Sequence, residues 1–424
     1  MRVFKFGGAS VKDADSIRNL SAILKDQKAK GEDLIVVISA MGKMTNALEI
    51  LLSAYLENSD KVEALFETIK NFHLDIMNQL FQGDHEVFEK VSNHLVEIEW
   101  ILEEEASRER DYYYGQMVSI GEILSTTIVG SFLKEEDHLV EWLDARGLVR
   151  TENQYRSAKV DWTASEGLIR DQIPKDNGKK DTIYVTQGFI GGTSENFTTT
   201  LGREGSDFSA AIFASVLDAE EVVIWKDVEG MYNADPNVFP NTIKLNHISF
   251  HEAIELAYYG ASVIHPKTIK PLQNKSIPLY VKSFLQPDRK GTIIDNDVTS
   301  DNIIPSFILK PAQTLVSIAA KDFSFIVESH LKEIFNAFDD HKLTINLMQN
   351  SAISFSVCLD ALPELYVLIN ELSVNYKVSF NEDLSLLTIR HYNDEVIEEL
   401  LKDKKLLLEQ KTRTTARFVF RENT

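Results

Sequence analysis

A chain of 424 residues, 44% hydrophobic and 26% charged, has the length of about two to three domains and the composition of an ordinary globular protein, which excludes disorder on a large scale. Asp and Glu outnumber Lys and Arg by 65 to 44, for a net charge of -21. The long-range field therefore repels nucleic acid and anionic membrane, and a phosphate ligand needs a few local cations.

The first forty residues read strand, helix, strand: "VFKF", a polar helical stretch from Asp13 to Lys30, and "DLIVVISA". That spacing is a βαβ unit with neighbouring parallel strands, and both strands end in small residues. Ligands sit at that C-terminal edge of an open α/β sheet. From Asn46 to Glu105 the period becomes helical, with Leu48, Leu51, Leu52 and Tyr55, then Val62, Leu65, Phe66 and Ile69, then Val91, Leu95, Ile98 and Leu102. Gly83 and Asp84 supply a break, and the stretch reads as a helical excursion over the sheet that packs rather than reacts. "MVSIGEILSTTIVGSFL" is a more apolar and hence more buried helix, with Glu122 in its middle.

Strand signals return at "HLVEWL", "TIYVTQGFIG" and "EVVIW", with the helix "DFSAAIFASVLDAE" between the last two. An amphipathic helix around "SFHEAIELAYYG", the strand "IPLYVKSF" and a turn at "QPDRKGTII" follow. The polar, acidic stretch "IDNDVTSDN" has the composition of a linker and places a domain boundary near residue 297. Beyond it come strands "LVSIAA" and "FSFIVE", a helix "HLKEIFNAFDDH", strands "LTINLMQN" and "AISFSVCLD", a helix "LPELYVLINEL" and "KVSFN". A shorter round follows with "SLLTIRHY", the helix "DEVIEELLKD", and strands near "LLLEQ" and "TARFVF". The repeated element order predicts two small split βαβ modules, one over about 312–380 and a shorter one built from 303–311 and 381–424.

The single cysteine, Cys358, excludes an intrachain disulfide framework and reads as a buried strand residue; with no clustered His there is no zinc pattern and no metal site is assigned. Apolar stretches such as "LIVVISAM" are too short to span a bilayer, and the start lacks an apolar run behind a basic region, so the expectation is a cytoplasmic protein.

Five stretches put small residues and charge at strand or helix ends: "KFGGAS", "SAMGKMTN", "SIGE", "TTTLGREGSD" and "IWKDVEGMYNADP". Neither a Walker A pattern nor a protein-kinase catalytic loop is present. Together with "TQGFIG" and "YGASVIHP", and in this order, the stretches resemble the aspartate kinases of the amino-acid kinase family. The resemblance covers about residues 1–295 and continues more faintly into paired C-terminal ACT modules. It implies an α/β catalytic domain over 1–297, an open, mainly parallel sheet sandwiched by helices, followed by an α+β, ferredoxin-like regulatory region over 298–424. It also implies ATP, Mg2+ and L-aspartate as reactants, 4-phospho-L-aspartate as product in lysine, threonine and methionine biosynthesis, and a homodimer paired through the ACT modules.

The chemistry suits the residues. A substrate carboxylate is already ionised at pH 7, so its attack on the γ-phosphate needs relief of anion repulsion rather than a general base. Two like charges ~4 Å apart repel by about 4 kcal/mol at an effective dielectric near 20. Lys5 at a strand end supplies an ammonium, and Gly7 and Gly8 leave the main chain free to approach phosphates. By resemblance, Arg203 holds the substrate α-carboxylate, Glu122 faces the substrate, Thr45 offers it a hydroxyl, and Ser39 and Ser206 line its site. A buried Glu122 needs either a ligand or an internal cation. Asp207 suits a helix N-cap, whereas the resemblance has it orient Lys5.

On the nucleotide side the resemblance implies Lys226, Asp227 and Tyr232. Asn237 stands where many members have Arg and Ser262 where many have Lys, so two cations near the triphosphate are missing and Lys226 is expected to replace one. Glu204 stands beside Arg203 where Gly is frequent. Members of the family bind end-product amino acids, often lysine or threonine, at the ACT modules. Here "VESHLKEIF" lacks the usual Gly-containing turn and Asn346 stands where lysine-sensing members often carry Asp, so lysine is the less supported effector. Two rivals remain at this point: another amino-acid kinase acting on glutamate or N-acetylglutamate, and a non-catalytic amino-acid sensor.

Overall fold

The strand Arg2–Phe6 is buried along its whole length, as a strand with parallel neighbours on both sides must be. In the computed structural model, which describes residues 1–28, 33–174, 181–202, 204–261, 264–322 and 324–422, Leu34–Ile38 flanks it on one side and Val222–Lys226 on the other. These are central strands of an eight-stranded sheet in the order His247–Ser249, Thr292–Asp295, Leu279–Ser283, Val222–Lys226, Arg2–Phe6, Leu34–Ile38, Ile183–Gln187, Val140–Leu143. Every pairing is parallel except that of Leu279–Ser283 with Thr292–Asp295. The mainly parallel sheet expected from the sequence is therefore present.

Side-chain alternation on the first strand decides where the charge goes. Phe4 and Phe6 share one face and both pack on Trp225, Phe6 stacked at 5.9 Å and Phe4 edge-on at 5.9 Å. Lys5 must then face the other side of the sheet, together with Lys226, the residue after Trp225 on the neighbouring strand.

The helix Ala14–Lys28 connects the first two strands; the last two residues of the expected stretch lie outside the described ones. The helical excursion consists of Met44–Leu56, Val62–Leu80 and Val87–Glu103. It buries Leu48, Leu51, Leu52, Phe66, Ile69, Val91, Leu95 and Ile98 against the sheet's core, as the periodicity predicted, while Val62, Leu65 and Leu102 are only partly covered. The stretch Arg110–Glu135 is long and apolar enough to cross a membrane, which the sequence reading overlooked, but its apolar window is 94% buried inside the protein. It is a core helix, and Glu122 sits within it at 2% exposure.

The chain divides into two compact units, one of Met1–Met231, Lys244–Ile254 and Val263–Val298, the other of Tyr232–Ile243, Glu255–Ser262 and Thr299–Thr424. The second unit is built on a six-stranded antiparallel sheet in the order Ile345–Asn350, Ser354–Asp360, Ser306–Ala320, Tyr376–Arg390, Thr415–Glu422, Lys404–Lys411. The helices Glu328–Asp340, Pro363–Asn375 and Asp394–Leu401 accompany it. What reads in sequence as separate strands before and after residue 311 is one fifteen-residue strand, kinked where the register shifts between Lys310 and Gln313 and where Ala312 takes φ 53°. "FSFIVE" forms no strand among its described residues. Phe325 is exposed and only Ile326 is buried, and the Val327 N–H donates to His330 Nδ1 at the start of the following helix. Cys358 is fully buried in its strand, and burial pushes its thiol up to about 12.

Gly8 fixes the loop edge above the first two strands. A Cβ there would lie 2.6 Å from the Gly42 carbonyl oxygen and 2.8 Å from that of Ala40, both backbone atoms that cannot swing aside. Gly8→Ala is expected to cost about 1–3 kcal/mol of stability through overpacking. The urea unfolding midpoint measures it, and an unshifted midpoint would mean the two loops yield freely.

Candidate active site

Lys5 and Lys226, brought to one face of the sheet by strand alternation, converge on a single carboxylate. Lys5 Nζ lies 2.6 Å from Asp207 Oδ1, and Lys226 Nζ lies 3.6 Å from Oδ2. Asp207 is the third residue of the helix Gly205–Leu217, in the first turn where backbone N–H groups favour an anion. It does not cap that helix: the N-cap is Glu204, with φ 54°, and no side chain accepts the capping bond. The capping reading of Asp207 is therefore not met, and its carboxylate faces Lys5 and Lys226 instead. Burial opposes ionisation of Asp207, but Lys5 and Lys226 outweigh it and hold the carboxyl below its ordinary value.

The three residues belong to a cavity of about 750 Å³ that lies wholly in the first unit. Glu122 also lines it. Its Oε1 accepts a hydrogen bond from the Ala40 N–H at 3.3 Å, while Oε2 is buried without a partner. Burial raises its carboxyl to about 8, against the smaller pull of backbone N–H groups and Lys5. Among the described residues Glu122 makes no internal salt bridge, the alternative left open by the sequence, and one of its oxygens has no partner among them.

Of the other residues singled out in the sequence, Ser39, Thr45 and Ser206 line the same cavity. Ser39 follows the strand Leu34–Ile38, its N–H bonded to the Phe6 carbonyl at 3.1 Å, and Thr45 stands in the first turn of Met44–Leu56. Ser206 owes its position to Gly188, where a Cβ would come within 2.5 Å of its own Cβ. Gly7 and Gly8 lie just outside the lining. Gly8 spends its freedom on the Gly42 and Ala40 carbonyls rather than holding it open for a ligand. Asp227 is exposed directly after Lys226. Tyr232 and Asn237 belong to the second unit, where Asn237 turns back to Asp235 Oδ1 through both its N–H and its side-chain amide at 2.9 Å. Arg203 and Ser262 lie outside the described residues.

The sequence reading missed part of the wall. Tyr114 donates to Glu49 Oε1 at 2.7 Å, and the Arg156 guanidinium lies 4.5 Å from the centroid of the Tyr114 ring; all three line the cavity. "NQYRSAK" carries no periodicity that would have flagged Arg156, whereas Tyr114 sits at the start of the apolar helix and was legible only as core. Glu204 lines the cavity as well, with a buried Oε2 that has no partner. Among the described residues there is no group of three or more His, Cys, Asp or Glu side chains placed to hold a metal ion. The arrangement pairs two lysines, Lys5 buried and Lys226 partly buried, suited to concentrated negative charge, with a carboxyl group that no cation among the described residues pairs with.

Comparison with known proteins agrees with that chemistry. The profile of the amino acid kinase family matches residues 1–283. The lysine-sensitive aspartokinase 3 of Escherichia coli (strain K12) is 32% identical over 397 residues, covering 91% of this chain and 86% of that protein. Two crystal structures of E. coli aspartokinase III superpose with a TM-score of 0.82 each, at 28% and 29% identity, covering 99% of this chain and 96% and 95% of theirs. The first holds aspartate and ADP and the second lysine and aspartate.

Glu122 makes stability depend on pH in a particular direction. Its folded value of about 8 stands above the ordinary 4.5, so between those values the folded chain binds more protons than the unfolded one and stability falls as pH rises. Glu122→Gln removes that slope. The variant is expected to melt above the ligand-free wild type at pH 8, with the gap closing toward pH 5. A Tm series against pH measures it, and a wild type that stays the more stable at pH 8 contradicts the buried, unpartnered carboxyl.

Proposed function

The chain belongs to the amino acid kinase family, and we propose that the cavity floored by Lys5, Asp207 and Lys226 is where it carries out its aspartokinase reaction. In that reaction the γ-phosphoryl group of ATP passes to the side-chain carboxylate of L-aspartate, giving ADP and 4-phospho-L-aspartate. The observation that carries the assignment is the coexistence, in one cavity, of two ammonium groups sharing one buried carboxylate and of a carboxyl, Glu122, with one oxygen that has no partner among the described residues.

Lys5 and Lys226 gather positive charge at the cavity floor, which a carboxylate and a triphosphate need in order to approach each other. Asp207 holds Lys5 in place, and Lys5 serves as a fixed electrostatic group. Lys226 completes the charge on the nucleotide side. Glu122 supplies the acceptor for the substrate ammonium; once that cation arrives, the carboxyl has its counter-charge and ionises. An N-acylated substrate brings no ammonium and leaves Glu122 unsatisfied, which favours aspartate over N-acetylglutamate. By its motif, Arg203 is assigned to the α-carboxylate, with Ser39, Thr45 and Ser206 around the substrate and Gly7, Gly8 and Asp227 on the nucleotide side.

Magnesium fits this site as a companion of the nucleotide. Mg2+ keeps waters and phosphate oxygens and takes only one or two protein carboxylates, and Asp207 and Asp227 adjoin the lysines that would hold the phosphates. The ion supplies charge neutralisation for the transferring group.

Feedback by an end-product amino acid is assigned to the second unit, paired with that of another copy in a homodimer. The E. coli relative is lysine-sensitive by name. In this chain the Asn346 amide is already engaged: it donates to Gln313 Oε1 at 2.9 Å and Asp360 Oδ1 at 3.0 Å and accepts from Lys310 Nζ at 2.9 Å. A lysine ammonium arriving there meets a neutral, occupied group, which supports threonine at least as well as lysine.

Hydroxylamine trapping of the acyl phosphate with Mg-ATP and a panel of aspartate, glutamate and N-acetylglutamate tests the assignment; hydroxamate is expected with aspartate alone. Lys5→Met should lower kcat by about 100-fold or more, the scale of losing one preorganised charge donor, with a smaller change in either KM. Lys226→Thr should raise the ATP KM by about tenfold and leave that for aspartate nearly unaltered, as loss of one charge-assisted contact implies. An unaltered ATP KM in Lys226→Thr would remove Lys226 from the nucleotide side.

A further inference from the structure

The second unit has a cavity of its own, of about 350 Å³, and every residue lining it belongs to that unit. It forms because the six-stranded sheet curls until its two edge strands meet: Gln410 Nε2, on Lys404–Lys411, donates to the Met348 carbonyl on Ile345–Asn350 at 3.2 Å. Phe335, Leu347 and Met348 give it apolar walls, and Tyr258 stands 68% exposed at its rim.

Arg417 is the charged residue in this lining, and no aspartate or glutamate faces it there. Its Nη2 donates to the Asn346 carbonyl at 2.6 Å and its Nε to Thr388 Oγ1 at 3.3 Å, while the guanidinium lies 5.0 Å from the centroid of the Tyr259 ring. Among the described residues no carboxylate pairs with it, and its Nη1 donates to nothing. The neighbouring Arg390 shows what a satisfied cation looks like in the same unit: it is 4% exposed, with Glu255 at 3.2 Å and Thr415 Oγ1 at 2.7 Å. Burial draws Arg417 below the ordinary arginine value, against the pull of Tyr259 and Tyr258, so the fold holds a partly desolvated positive charge with nothing to neutralise it. Holding such a cation in an apolar cavity is unfavourable unless an anion completes it.

We propose that this cavity binds a small organic monoanion, a carboxylate on an apolar or aromatic body, with Arg417 receiving the acid group and the walls of Phe335, Leu347 and Met348 receiving the body. A planar guanidinium with free N–H groups suits a carboxylate, and the stacked Tyr259 ring fixes its plane. A free amino acid suits the site less, because its ammonium would find no acidic side chain in the lining. The site is distinct from the phosphotransfer cavity and from the engaged Asn346 amide, since only the Asn346 carbonyl contacts Arg417.

Phenylacetate, phenylacetamide and phenethylamine share one shape and differ in charge, and they serve as probes. Titrated by calorimetry into the full chain with ADP and aspartate present to fill the first cavity, phenylacetate is expected to bind at least about tenfold more tightly than the neutral or cationic analogue. Arg417→Met should weaken phenylacetate by about tenfold or more while kinase turnover persists, which shows that the variant is folded. Met348→Trp, which fills the cavity without touching the charge, should weaken it as well. Equal binding of the three probes, unchanged binding in Arg417→Met, or no phenylacetate binding at millimolar concentration overturns the proposal.

Discussion

Two ammonium groups held against one buried carboxylate form the constraint around which the first unit is arranged. A buried aspartate without a cation would take up a proton; Asp207, at 2% exposure, stays charged because Lys5 and Lys226 outweigh the cost of burial. The pairing demands that a strand end and a helix start be brought together within a few tenths of an ångström. The strand's orientation comes from Phe4 and Phe6 clamping Trp225, which forces Lys5 to the opposite face. The helix is brought close by glycines: a Cβ at Gly188 would strike Ser206, and one at Gly205 would come within 2.8 Å of the Phe189 ring. A salt bridge of this kind contributes little to stability for its own sake. Its value lies in gathering the positive charge of Lys5 and Lys226 at the floor of the cavity.

Much of this was legible in the sequence, for identifiable reasons. Parallel strands buried on both faces appear as continuous apolar runs, and the excursion of three helices repeats its apolar residues at helical spacing, so both announce themselves locally. Lys5, Glu122 and Asp207 stood out because a charged residue at the end or in the middle of an apolar run must be satisfied somehow. What local pattern does not encode is which partner satisfies it. Asp207 was equally readable as a cap, and only the tertiary approach of two strand ends shows its carboxylate turned to the lysines instead of to its own helix. Arg156 and Glu49 were invisible for the same reason: they enter the cavity wall through Tyr114, and nothing near them in sequence points to it. The fifteen-residue strand Ser306–Ala320 was read as separate pieces, whereas the structure absorbs Pro311 and Ala312 as a kink with φ 53° at Ala312.

The departures of this chain from its family can be weighed as charge. Lys5, Arg156 and Lys226 line the cavity together with the carboxyl groups of Glu49, Glu122, Glu204 and Asp207. Taken as fully ionised, these described residues carry one more negative than positive charge, before Arg203, assigned to the same site by its motif, is counted. Burial moves the balance toward positive by raising Glu122 to about 8. Under the proposed assignment of Glu122 to the substrate ammonium, the arriving cation favours the ionised carboxyl, and substrate binding is coupled to release of a proton.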